Sequence, residues 1–424
     1  MTDLQAVEIC AGAGGQALGL ERAGFGHALA VELDPNAVAT LRRNRPEWDV
    51  RPGDVADPTV WEPEKFGGVD LIAGGVPCPP FTIAGKQLGA TDERDLFAWA
   101  VHLAQRAKPK ALLLENVRGL SANRFAAYRQ NVLDTLQSAG YIAQWKLLHA
   151  ADFGVPQLRP RFVLVALLPE YAEYFSWPEP LEGKRPTVGE TLNGLMAARG
   201  WKGAESWAEN ADQIAPTIVG GSKKHGGADL GPTRAKAAWA KLGVDALGIS
   251  DHAPEPDWKP AEGKPGPKLT VEMVARIQGW KPEDKWEFEG RKTTRYRQVG
   301  NAFPPPVAEA VGRSIARALR QEGSRTELVE TTEVVHDPVY KLLRGMERPI
   351  GVDQIISRLE RTGQPMTEPE VERHIAHLER DFAIERVKRS SGALGYKLGE
   401  FKAFVGQEGH QRHELFSLNQ AKIS

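Results

Sequence analysis

Ala6-Val7-Glu8-Ile9-Cys10-Ala11-Gly12-Ala13-Gly14-Gly15 reads as a short apolar strand, 6–10, closed by a glycine turn. A helix follows over 16–23, with Leu18 and Leu20 among its apolar positions. The same alternation continues outward. A strand over 27–31 ends in Glu32-Leu33-Asp34, and a helix starts near Pro35. Further strands are expected over 71–73, 111–114 and 161–167, separated by helices over 96–106 and 124–139. Strands alternating with helices predict an α/β domain whose mostly parallel sheet is covered on both faces. Sites in such sheets lie at the carboxyl ends of the strands. Cys10-Ala11-Gly12, Glu32, Asp54, Pro77-Cys78 and Glu115-Asn116 all fall there.

The 424 residues are too many for one simple core and imply two or three domains. Apolar content of 41% with 26% charged residues fits a soluble globular chain, and no apolar run approaches a membrane span. The start, Met1-Thr2-Asp3, lacks a signal pattern, and the expected compartment is the reducing cytoplasm. With only Cys10 and Cys78, neither a disulfide scaffold nor a cysteine-based zinc site is expected. A net charge of -1 argues against indiscriminate coating of nucleic acid and leaves room for a local basic face. From about 177 to 267 glycine, proline and tryptophan become frequent. Gly220 to Gly227 reads as an exposed basic loop, while Trp201, Trp207, Trp239 and Trp258 argue for a small folded unit rather than a linker. Regular structure resumes over 268–279 and 296–319. After Ser324, helical stripes at Val352, Ile355, Ile356, Leu359 and at Val371, Ile375, Leu378, Phe382 precede strand-like pieces over 383–388 and 394–398. Three helices and a hairpin suggest a winged-helix-like module.

The glycine turn departs from the dinucleotide pattern Gly-x-Gly-x-x-Gly, so alone it fits a tight turn as well as a ligand site. Glu32, about 20 residues further on, suits the two hydroxyls of a ribose. Asp54 could accept from an adenine amino group. A Walker phosphate loop is absent, and an adenosine ligand without phosphates fits better than a triphosphate. Pro77-Cys78-Pro79-Pro80 sets a thiol on a proline-braced loop after a strand. By itself this fits a nucleophile or a buried cysteine equally.

In order along nearly all of its first 320 residues the chain resembles the DNA cytosine-5 methyltransferases. The matching segments are Glu8 to Gly15, Glu32-Leu33-Asp34, Gly53-Asp54-Val55, Pro77-Cys78-Pro79-Pro80-Phe81, Glu115-Asn116-Val117, Gln157-Leu158-Arg159-Pro160-Arg161, Leu269 to Gly279 and Gln298-Val299-Gly300-Asn301-Ala302. The resemblance implies a Rossmann-like sheet and S-adenosylmethionine as methyl donor, with S-adenosylhomocysteine as product and no metal. Cys78 would add to carbon-6 of cytosine, Glu115 would hold and protonate the third ring nitrogen, and Arg161 would bind the base's carbonyl oxygen. Arg161 would also help steer the cysteine and glutamate, with Arg159 supporting the backbone nearby in the same catalytic set. The base would be flipped out of a duplex. Cofactor contacts are expected from Cys10, Ala11, Gly12, Gly14, Gly15, Glu32, Leu33, Asp54, Val55, Pro77, Asn301 and Ala302. Two departures are evident: Cys10 stands where many members have Phe, and Pro79 where many have Gln.

The implied organisation is a catalytic part over 1–176, a target-recognition domain over 177–267, a catalytic return over 268–324 and the winged-helix-like module over 325–424. DNA contacts are expected from Lys223, Lys224, Arg234, Arg295 and Arg297. The partners implied are double-stranded DNA and a restriction endonuclease acting on the same site, with no membrane, in a bacterial cytoplasm. Two rivals are a transfer-RNA cytosine methyltransferase and a catalytically silent DNA-binding regulator on the same fold. The intact Cys78, Glu115 and Arg161 speak against the regulator, and the long recognition region speaks against RNA.

Overall fold

Strands that are apolar on both faces are stable only within a sheet covered on both sides. In β1 (Leu4–Ile9) and β4 (Leu71–Gly74) nearly every residue is buried, and the computed structural model places the two side by side at the centre of the sheet. Residues 4–77, 94–220, 228–325, 336–389 and 392–401 are described. Cys78, Pro79, Lys223 and Lys224 lie outside them. With β2 (Phe25–Glu32), β3 (Val50–Pro52), β5 (Ala111–Val117), β6 (Ile142–His149) and β7 (Pro160–Leu167), the strands form a seven-stranded sheet of order β3-β2-β1-β4-β5-β7-β6. Helices α1 (Gly15–Arg22), α2 (Pro35–Asn44), α3 (Arg94–Ala107) and α4 (Ala126–Ser138) connect the strands. Asp34 caps α2 by accepting from the backbone of Asn36 and Ala37.

The sheet is mostly parallel, as the alternation predicts. One strand is not: β7 runs antiparallel to both β5 and β6, and β6 was not expected from the sequence. Pairing propensity alone does not reveal this, because β7 is as thoroughly buried as the parallel strands β1 and β4.

Beyond the short α5 (Pro169–Ala172), the chain forms α6 (Val188–Met196), α7 (Ala204–Asn210) and α8 (Thr233–Lys241), then α9 (Val271–Ile277), α10 (Lys292–Asn301) and α11 (Pro305–Leu319). Trp207 and Trp239 are buried in a cluster that also holds Leu18 of α1, Trp280 and Tyr296, so the apolar core of this region is continuous with that around α1. The stretch 296–319, expected as one run, is two helices. Pro304, Pro305 and Pro306 break it, because a proline has no N–H to continue the ladder and its fixed φ suits a helix start.

The last part comprises α12 (Pro338–Arg344), α13 (Val352–Arg361), α14 (Glu368–Asp381) and a sheet of order β8-β10-β9, from β8 (Ile350–Gly351), β9 (Phe382–Lys388) and β10 (Leu394–Phe401). It has its own apolar cluster. It is also fastened to α4: Tyr340 Oη donates to Asn131 Oδ1 at 2.9 Å and Arg344 pairs with Asp134. No helix among the described residues is long and apolar enough to cross a membrane.

Helix α11 returns across α1 at very short range. A Cβ on Gly19 would stand 2.5 Å from both Ala308 Cβ and Pro305 O. Gly19→Val is therefore expected to force α1 and α11 apart, at a cost of roughly 1–3 kcal/mol, and to lower the melting temperature measured by circular dichroism.

Candidate active site

The polar strand ends converge on one cavity of about 700 Å³, a size suited to a cofactor. Its floor is the turn after β1. Cys10 and Gly12 take left-handed φ values of 51° and 56°, which swings the chain away from the sheet before α1 begins. Gly14 does not line the cavity. It packs under Trp286, whose indole Nε1 donates to Ala13 O at 3.1 Å and so holds the turn from outside. At one end of the cavity, Glu32 Oε2 accepts from the backbone of Gly12 and Oε1 from that of Asp34, both at 2.7 Å. The carboxylate is thus aimed before any ligand arrives. Burial nonetheless pushes its pKa up, against the pull of those two N–H groups. Asp54 lies beyond it, one oxygen accepting from the backbone of Ala56.

At the other end stands Glu115, on β5 and only 7% exposed. Antiparallel pairing sets Glu115 opposite Val163 and Val117 opposite Arg161, making Arg161 the diagonal neighbour of Glu115. Arg161 Nε approaches Glu115 Oε1 to 2.5 Å as an ion pair, while Nη1 donates to Pro160 O. Burial raises the Glu115 pKa above the ordinary carboxylate value, and the charges of Arg161 and Arg159 only partly reverse this. Pro77, the last described residue before Cys78, lines the same cavity. Asn116 braces that approach by donating from Nδ2 to Val76 O at 3.2 Å.

Arg159, two residues before Arg161 and 1% exposed, does not line the cavity. Its Nη1 donates to Ile218 O, and its Nη2 to Gly300 O and Ala302 O, all at 2.8 Å. Those last two carbonyls end α10. Their helical acceptor positions fall on Pro304 and Pro306, which carry no N–H. The guanidinium replaces the missing donors and thereby holds Asn301 and Ala302 at the cavity wall. Gln157 extends the brace: its Nε2 donates to Gln278 Oε1 at 3.0 Å, and Gln278 Nε2 donates to Val299 O at 2.9 Å.

Of the expected cofactor residues, Cys10, Ala11, Gly12, Gly15, Glu32, Leu33, Asp54, Val55, Pro77, Asn301 and Ala302 all line the cavity. Gln16 and Phe303 line it too, and so does Arg297, expected on DNA instead. The helical phase that turns Arg297 inward directs Arg295 away from this cavity, toward α9. Arg234 is exposed in the first turn of α8. Tyr296 Oη lies 2.9 Å from Val219 O and 2.5 Å from Asp229 O, on either side of the basic loop.

The profile of the C-5 cytosine-specific DNA methylase family matches residues 4–317. The chain is 63% identical to Type II methyltransferase M.NaeI of Lentzea aerocolonigenes, over 100% of both. It is 52% identical to Type II methyltransferase M.NgoMIV of Neisseria gonorrhoeae, over 74% of this chain and 98% of that one. A solved structure of a prophage-encoded DNA modification methyltransferase of E. coli matches with a TM-score of 0.51 at 20% identity, covering 75% of this chain and 100% of that one. This last likeness is one of fold.

Replacing Arg159 by Met leaves three buried carbonyls without their donor. The expected loss is roughly 3 kcal/mol or more, read from urea unfolding. Arg159→Lys is expected to recover only part of it, since an ammonium cannot present the guanidinium fork.

Proposed function

The chain belongs to the C-5 cytosine-specific DNA methylase family and transfers a methyl group to carbon-5 of cytosine in DNA; on that premise we propose that Cys78, Glu115 and Arg161 perform the chemistry on a base flipped out of a duplex. One observation carries this reading. A buried carboxyl whose pKa burial has raised sits beside an arginine at the end of a cavity, next to the loop that leads into Cys78. In its protonated form, which the raised pKa favours, Glu115 donates to the third ring nitrogen and draws charge from the ring as the Cys78 thiolate adds to carbon-6. Arg161 holds the base's carbonyl oxygen and keeps the carboxyl aimed. After methylation the carbon-5 proton leaves to a base in solvent, the Cys78–carbon-6 bond breaks and the third ring nitrogen returns its proton to Glu115, which restores the aromatic ring, the acid and the thiolate.

The donor we assign to the cavity is S-adenosylmethionine, which supplies an electrophilic methyl when bound. The residues suit it. Glu32, held by two backbone N–H groups, offers its remaining lone pairs to the ribose hydroxyls, and Asp54, which lines the same cavity, offers an acceptor to the adenine amino group. Cys10 contributes a small apolar contact where an aromatic ring would cover more.

We assign sequence reading in duplex DNA to 177–267. The basic loop, which carries Lys223 and Lys224, and Arg234 supply cations for phosphates and guanine edges. The helices and three-stranded sheet after 336 support a winged-helix-like module, which lies outside the family match. Within it Arg389 pairs with Asp353 at 3.1 Å and Arg386 with Glu379, which favours docking over phosphate contact. The Type II relatives support a setting with a restriction endonuclease acting on the same site, in a bacterial cytoplasm.

The test is transfer of labelled methyl from S-adenosylmethionine to duplex DNA, with bisulfite sequencing to report which cytosines change. Label is expected in DNA and at background with Cys78→Ala. Label in transfer RNA and none in any cytosine-containing duplex would overturn the reading. Glu115→Gln is expected to lower kcat by about 10²–10⁴-fold. A catalytic acid is lost as pH rises through its pKa, so wild-type kcat is expected to fall on the alkaline side of a point above the ordinary carboxylate value. The variant's profile should lack that limb.

A further inference from the structure

Gln16 is the second residue of α1, directly after the glycine turn, and lines the cavity. Only 4% of it is exposed, yet neither its Nε2 nor its Oε1 makes a hydrogen bond among the described residues. An amide buried with both ends unpaired destabilises the free protein, and a leucine would fill the same helix position without that penalty. Such a group is explained by a ligand that pairs with it.

Its place selects the part of the ligand. A Cβ built on Gly75 would lie 3.5 Å from Glu115 Oε2 and 3.9 Å from Gln16 Oε1, so the amide sits beside the reacting end of the cavity and away from Glu32. Gln16 shares its wall with Ala302 and Phe303. Gly15, its neighbour, packs there so closely that a Cβ would stand 2.5 Å from Phe303 O and 2.9 Å from Ala302 Cβ. Of these three wall side chains only Gln16 can form hydrogen bonds. A donor with its ribose at Glu32 and its methyl toward Glu115 has one arm left, the zwitterionic amino-acid end. An amide donates and accepts at once, as a carboxylate beside an ammonium requires, and the first turn of a helix favours the carboxylate further.

We propose that Gln16 binds the amino-acid end of S-adenosylmethionine, donating from Nε2 to its carboxylate and accepting at Oε1 from its ammonium. The proposal rests on assigning the cavity to that donor. It makes Gln16 the residue that separates the full donor from fragments carrying only adenosine and sulfur.

Calorimetric titration of the full chain with S-adenosylhomocysteine and with 5′-methylthioadenosine tests it, since the second ligand lacks only the amino-acid end. Wild type is expected to bind both. Gln16→Met, near in size and without the amide, should bind S-adenosylhomocysteine about 10-fold or more weakly and change less than about 2-fold toward 5′-methylthioadenosine. The melting temperature of the free variant should not fall, because two unpaired buried polar atoms have gone. Gln16→Ala should show the same selectivity between ligands, whereas damage to the fold would weaken both equally. Equal losses for the two ligands, or no loss for either, would overturn the role of Gln16. Failure of the wild-type chain to bind S-adenosylhomocysteine would overturn the assignment of the cavity itself.

Discussion

The cavity wall depends on a backbone defect and on the cation that repairs it. Helix α10 ends where Pro304, Pro305 and Pro306 remove three consecutive N–H donors, and it would otherwise leave buried carbonyls at the edge of the site. Arg159 supplies the replacement with one planar fork that reaches Gly300 O, Ala302 O and Ile218 O together. The cost is considerable. Burial, followed by repulsion from Arg161, holds the Arg159 pKa well below its ordinary value, and Glu115 only partly offsets this. A buried guanidinium is tolerable here because its donors meet carbonyl dipoles instead of a bare apolar wall.

From that anchor the meeting of Arg161 and Glu115 follows by alternation. Gln157, Arg159 and Arg161 are spaced by two along an extended segment, and extended spacing by two keeps side chains on one side. Gln157 and Arg159 are occupied in bracing Gln278 and the end of α10, which leaves Arg161 as the member that meets Glu115. The reversed direction of β7 makes this possible, since the antiparallel register brings Arg161 diagonally across from Glu115. A parallel strand in that slot would have carried its amino-terminal residues to the opposite edge of the sheet.

Much of this was legible in the sequence because strand ends announce themselves. Glu32 and Glu115 each follow an apolar run and Asp54 a third short segment, and in a mostly parallel sheet such ends must share an edge. The direction of β7 was not legible, since both orientations bury the same residues. Arg297 was read as a phosphate contact because it lies in a basic run, and only the helical phase of α10 shows that it faces the cavity. The three prolines were plain, but the apolar periodicity on either side of them hid the break. Gln16 gave no signal, because a glutamine early in a helix is ordinary until its burial is known.

One guanidinium therefore joins two regions of the chain that lie far apart in sequence. Ile218 lies just before the basic loop, while Gly300 and Ala302 flank Asn301 at the cavity wall. Tyr296 reinforces the link, its hydroxyl within reach of carbonyls on both sides of that loop from a helix whose last turn contributes to the cavity. A displacement of Ile218 must stretch or relieve the bonds that hold Ala302. Such a coupling is reciprocal, so a shift of Ala302 bears on Ile218 as a shift of Ile218 bears on Ala302. The brace that completes the cavity wall is thus also a direct physical connection between the segment that ends at Gly220 and the end of α10.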